Sequence, residues 1–226
     1  MQQSDTASFR VPSKARDGRV QDVHEPAFGA GHRILALVAP YSDGSVRVPV
    51  DPPLRPARLE EEAAIEALMK ASIRYFFPAY YDAPQVEASL LYVGVPDRDL
   101  IDDGTYFVAE VDGELIASGG WSKRDKLYSG SDAVGDSRLL DPATEAAHVR
   151  AMFVRPDWGR RGLGRRIIEE SERAAKGAGF TTMSLMATLP GEPLYAACGF
   201  REIERTDVIT PNGTPLPCVA MEKPIG

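Results

Sequence analysis

His148–Gly179 reads HVRAMFVRPDWGRRGLGRRIIEESERAAKGAG: an apolar stretch, a short loop rich in glycine and arginine, then a segment with helical periodicity. Val149, Ala151 and Phe153 fall on one face of an extended chain and Met152 and Val154 on the other. Both faces read as buried, which predicts a central strand over His148–Val154. Pro156 ends it, because proline cannot donate to a ladder and biases Arg155 to an extended conformation. From Leu163 onward apolar or small residues recur at Ile167, Ser171, Ala174 and Ala178, widened by Ile168 and Ala175, while most charged residues fall opposite. That spacing predicts an amphipathic helix, stopped by Gly177 and Gly179.

The first amides of a helix have no partner within it and lie at the positive end of its dipole, so glycines there let an anion approach the backbone. Gly162 and Gly164 supply the space, and Arg160, Arg161 and Arg165 the countercharge. A lone G-x-G also fits an ordinary strand-to-helix turn with solvated arginines. Two nucleotide motifs fail on specific residues. A P-loop needs Lys and then Ser or Thr where Arg165 and Arg166 stand, and the dinucleotide fingerprint needs a third glycine where Ile167 stands.

The run V-R-P-x-W-x-R-R-G-L-G-R-R-I-I, followed by a short strand and L-Y-A-A-C-G-F, resembles the acyl-CoA-binding core of the GNAT N-acetyltransferase superfamily, over roughly residues 55–224. The resemblance implies an α+β (mixed α/β) fold: a splayed, mostly antiparallel sheet flanked by helices, with acetyl-CoA lying between two diverging strands and its pyrophosphate on the glycine loop. The cofactor-binding residues it implies are Met152, Phe153, Val154, Arg160, Arg161, Gly162, Leu163, Gly164, Arg165 and Thr188. Gly159 stands where the family often has Gln or Arg, which gives that contact to Arg160, and Thr188 stands where it often has Asn.

Acyl transfer to an amine needs an unprotonated amine, stabilisation of the oxyanion and a proton for the departing thiolate. Amides around Met152–Val154, freed if the strand splays, are the expected oxyanion donors. His148 stands thirteen residues before Arg161, where some relatives place a catalytic Glu. Its ordinary pKa near 6.5 suits a base, with Glu145 as the substitute and a structural histidine as the plain alternative. The acid implied by the resemblance is Tyr195, in Y-x-x-x-G-F. Cys198, among Ala196, Ala197 and Phe200, reads as a structural thiol.

The chain has 226 residues, 43% of them hydrophobic, enough for one large domain or one with an extension. A net charge of −7 argues against nucleic acid as main partner. With two cysteines and three histidines (His24, His32 and His148), no disulfide framework or metal cluster is expected. The absence of a charged-then-apolar leader and of an apolar run near the roughly 20 residues of a membrane span predicts a soluble, cytoplasmic protein.

Residues 1–54 are expected to be an extension, irregular at first and then a β-hairpin, His32–Val38 with Ser45–Val50, that packs on its own domain or meets a second copy in a homodimer; residues 55–226 form the catalytic domain. Helices are expected over Glu60–Phe77 and Pro84–Tyr92, with the aromatics Tyr75, Phe76, Phe77, Tyr80 and Tyr81 between them as core or as the wall of an acceptor pocket. Tyr106–Val111 and Glu114–Trp121 flank Asp112-Gly113 as a hairpin. Lys123–Thr144 reads as irregular, its acidic residues mostly solvated, with one or two able to attract a cationic amine. Thr182–Ala187 is a strand, Glu192–Cys198 a short helix, and Arg201–Thr210 with Cys218–Lys223 a terminal hairpin. The expected activity is transfer of an acetyl group from acetyl-CoA to a small-molecule amine; the alternative is an acyl-CoA-binding module without turnover.

Overall fold

The computed structural model describes residues 51–125 and 138–226, all within a compact unit that runs Pro49–Gly226. The expected N-terminal hairpin lies outside the described residues.

The chain forms strand β1 (Leu54–Pro56), helices α1 (Glu62–Phe76), α2 (Ala83–Tyr92) and α3 (Arg98–Asp102), and strands β2 (Tyr106–Val111), β3 (Glu114–Ser122) and β4 (Ala147–Val154). Helix α4 (Leu163–Gly177), strand β5 (Thr182–Thr188), helix α5 (Glu192–Ala197) and strands β6 (Arg201–Ile209) and β7 (Pro215–Pro224) complete it. The seven strands make one sheet in the order β1-β2-β3-β4-β5-β7-β6, antiparallel throughout except for β4 and β5. It is a mixed α/β fold with a mostly antiparallel sheet, as the sequence predicts, and β4 is its central strand.

Local chemistry accounts for the elements. Asp112 and Gly113 both have positive φ (52° and 82°), the conformation that a two-residue hairpin needs and that Asp-Gly accepts readily. Asp82 caps α2 by accepting from the Gln85 amide at 2.9 Å, and the Gln85 side chain accepts in return from the Asp82 amide at 3.1 Å. Helix α4 buries Leu163, Ile167, Ile168, Ser171 and Ala175, one stripe of its surface.

Alternation along the strands serves two layers of helices. Val108 and Phe153 join Ile65, Met69 and Ile73 of α1 in one cluster, while Ala109, Met152 and Val154 meet Leu163 and Ile167 of α4 in another. Central strands with both faces covered follow.

One break in regularity shapes the sheet. Ala151 adopts φ 52°, and the β3–β4 register shifts between Ser118 and Gly120, a bulge that bends β4. A side chain on Gly119 would lie 2.3 Å from Met152 Sδ, so the residue opposite the bulge has room only for hydrogen. The Tyr106 hydroxyl donates to the Ala151 carbonyl at 3.0 Å and lies 3.0 Å from Ser118 Oγ, which fixes the displaced peptide. Next to it the Arg150 guanidinium meets Asp97 at 2.6 Å, both side chains almost wholly buried.

Asp97→Asn keeps the shape but removes the carboxylate beside Arg150. Urea titration should show a loss of about 3–5 kcal/mol, the usual cost of breaking a buried pair. Glu62→Gln, which breaks the exposed pair with Arg98, should cause only a small loss, because exposed pairs are screened by solvent. A comparable small loss at Asp97 would mean that the buried pair does not hold the bulge.

Candidate active site

Beyond the bulge the central strands part. β4 and β5 pair only at Ala147↔Met183 and His148↔Ser184, although β4 continues to Val154 and β5 to Thr188. β5 instead stays with β7 as far as Thr188↔Cys218. The Tyr81 hydroxyl fastens that half, accepting from the Leu189 amide at 2.8 Å and donating to the Pro217 carbonyl at 2.8 Å.

A cleft of about 690 Å³ opens from the gap. Residues Val149–Val154 of β4 line it, together with Met186 and Thr188 of β5. The mouth of α4 and helix α5 form one wall, and α1, α2 and the β6–β7 end form the other.

The gap leaves backbone donors over. The Arg155 amide donates to the Ile116 carbonyl at 2.9 Å, toward β3, so alternation turns the Val154 N–H to the open edge. In a trans peptide the Met152 N–H points opposite to the Ala151 carbonyl, hence away from Tyr106 and toward the gap. At the mouth of α4 the amides of Arg160 through Arg165 find no acceptor among the described residues. Arg160 and Gly162 both take positive φ (62° and 83°), which curls these amides into a concave nest of the kind that holds anions.

Of the residues expected to hold the cofactor, Met152, Phe153, Val154, Arg160, Gly162, Leu163, Gly164, Arg165 and Thr188 line this cleft. Arg161 does not, and its guanidinium stacks 4.6 Å from the ring centroid of Trp158, which does. The two loop glycines differ in role. A side chain on Gly162 would meet nothing within 4 Å, and its positive φ is what requires glycine. One on Gly164 would lie 2.7 Å from Leu194 Cδ2, so this residue also makes room for α5 while its amide stays in the unpaired row.

The expected catalytic residues are not brought together. Tyr195 lines the cleft and is 9% exposed, and burial pushes its phenol above the ordinary value. His148 lies instead in the paired base of β4, 8% exposed, with Nδ1 2.8 Å from Ser184 Oγ. Burial first, then the charge of Arg150, lowers its imidazole to about 4. Glu145 is paired with Arg138 at 2.6 Å and accepts from the Asp141 amide at 2.7 Å, contacts that hold its carboxyl at about 2. Neither lines the cleft, a correction to the assignment of the base.

Other expectations sort in the same way. Phe76, Phe77 and Tyr80 line the cleft, whereas Tyr75 is exposed and edges against Phe76. Asp125 pairs with Arg138, Asp141 accepts from Ala143 and Thr144, and Asp132 and Asp136 lie outside the described residues. Burial raises both cysteine thiols, which makes poor nucleophiles of them. Among the described residues no group of three or more metal-ligating side chains gathers, and no helix is long and apolar enough to cross a membrane. Trp158 and Arg150 as cleft residues, and the strut made by Tyr81, were not foreseen.

Residues 65–200 match the model of the acetyltransferase (GNAT) family. Among solved structures, the chain is similar to a GCN5-related N-acetyltransferase from Rhodopseudomonas palustris, with 22% identity over 76% of this chain and 95% of that one and a TM-score of 0.59. It is also similar to the PaiA N-acetyltransferase of Thermoplasma acidophilum, solved in complex with coenzyme A, with 14% identity, coverage of 76% and 98%, and a TM-score of 0.53. At these identities the likeness is one of fold. Against curated protein sequences there is no significant match.

The histidine gives a pH test. Its folded pKa, about 4, lies below the ordinary 6.5, so between these values the unfolded chain binds a proton that the native one refuses, and stability falls as pH falls through that window. The full loss is on the order of 3 kcal/mol. Denaturant titrations should show His148→Gln flattening this dependence. An unchanged slope would mean that other groups carry it.

Proposed function

The chain belongs to the acetyltransferase (GNAT) family, and from that premise we propose that it transfers the acetyl group of acetyl-CoA to the amine of a small molecule, by direct attack with both substrates bound. The observation that carries this reading is the parting of β4 from β5, which leaves unpaired amides at both ends of one cleft.

The residues fit an elongated donor with an anionic middle. The nest from Arg160 to Arg165 suits a pyrophosphate, with Arg160 as countercharge, while Arg165 also donates to the Ala197 carbonyl at 3.0 Å. The Val154 N–H is oriented to bond the amide arm of the donor, and the Met152 N–H to polarise its thioester carbonyl. Both are fixed before substrate arrives, so their alignment takes no reorganisation during reaction.

In the transfer the amine nitrogen bonds to the acetyl carbon, the carbon–sulfur bond breaks with its electron pair going to sulfur, and the nitrogen gives up a proton to water. Tyr195 donates its hydroxyl proton to the departing thiolate and recovers one from solvent. Burial holds the phenol above its ordinary pKa, so it is protonated when the thiolate departs; the same shift makes it a weak acid that gives its proton only to a strong base such as the nascent thiolate.

Tyr195→Phe removes the hydroxyl and keeps the ring, which packs at 5.9 Å against Phe200. Turnover should fall about 10²-fold or more, with acetyl-CoA affinity and stability nearly unchanged. Release of free thiol from acetyl-CoA with a panel of amines reads the rate. Full activity, with chemistry shown to limit the rate, would leave Tyr195 a packing role; no release above hydrolysis with any amine would overturn the transfer reading.

A further inference from the structure

The acceptor wall has a chemistry of its own. Its α1, α2 and β6–β7 side presents Phe76, Phe77, Tyr80, Val93, Val208 and Leu216 to the cleft. No Asp, Glu or His is among the described residues that line any part of it. The titratable groups that do are Tyr80 and Tyr92 from the helical side, Arg150 from β4, Arg160 and Arg165 from the α4 side, Tyr195 from α5 and Cys218 from β7. The charged groups among these are arginines, and the buried carboxylate of Asp97 is held by Arg150 at 2.6 Å.

An ammonium group entering this cleft would lose water and gain no carboxylate among the described residues that line it. Each of these raises its energy. Nor is there a carboxylate or imidazole to act as base among the described residues of the lining. Burial raises the Tyr195 phenol above its ordinary value and pushes the Cys218 thiol up to about 12.

Resting on the transfer reading above, we infer that the acceptor is an apolar amine that arrives uncharged, of the arylamine class, selected by an aromatic and aliphatic wall without a carboxylate. An aromatic ring gains from burial against Phe77 and Tyr80, and an arylamine nitrogen is neutral at physiological pH, so no group of the protein has to take a proton before attack. The reading disfavours polyamines and aminoglycosides, which carry several charges.

The test compares kcat/KM for 4-ethylaniline and spermidine with acetyl-CoA, from pH 6.5 to 8.5. The arylamine should lead by about 100-fold or more, the size of discrimination that a missing charge partner produces. Its profile should be flat, because an arylamine stays neutral across that range and no proton has to leave it before attack. Tyr80→Glu, at a half-exposed lining position, should narrow the preference by bringing in a carboxylate. Spermidine preferred over the arylamine, or a profile for 4-ethylaniline that rises with pH, would overturn the inference and leave acetyl transfer standing. Thiol release at the hydrolysis rate with every amine would overturn the transfer reading and the inference together.

Discussion

The separation of β4 from β5 is the constraint on which the site depends. Backbone amides within a sheet are almost always paired, and a strand that leaves its neighbour leaves donors over. Here the cause is local. The bulge at Ala151 turns one peptide, Tyr106 holds its carbonyl, and pairing with β5 stops at His148↔Ser184. On the far side Tyr81 keeps β5 and β7 together by bonding to both Leu189 and Pro217. The opening is thus braced from both sides.

Electrostatics divides the cleft in the same economical way. The mouth of α4 combines unpaired amides with Arg160 and Arg165, while the opposite wall is aromatic and aliphatic. The chain as a whole carries −7, so this positive end is a local construction rather than a reflection of composition. Acidic residues near β4 are occupied elsewhere: Asp97 with Arg150, Glu145 with Arg138. A histidine at the paired base of β4 is neutral because it is buried, not because it is poised to accept a proton.

Helices α1, α2, α4 and α5, strands β2–β5 and the glycine loop were legible from periodicity and turn residues, because burial of one helical stripe or both faces of a strand leaves a direct trace in the order of residues. Short or irregular pieces were not. Strand β1 is three residues with a proline, and α3 is five residues, too little for any period to show. β7 starts at Pro215 rather than Cys218, since Pro215 and Pro217 sit beyond the end of β5, where a missing N–H breaks no ladder on that side. No glycine flags the positive φ of Ala151, and 53 positions separate Arg150 from Asp97, so neither the bulge nor its buried pair could be read from neighbours in the chain. His148 was placed by motif spacing alone, which says nothing of burial. The loop proposed to hold the cofactor could be anticipated because its donors are backbone amides, whose availability follows from local conformation.

Amide hydrogen exchange, followed residue by residue with and without acetyl-CoA, tests the central claim most directly. Protection should rise at Met152, at Val154 and from Arg160 through Arg165, the donors that the fold leaves unpaired, and stay unchanged at His148 and along the outer strand Arg201–Ile209. Binding of acetyl-CoA with no added protection between Arg160 and Arg165 would contradict the account.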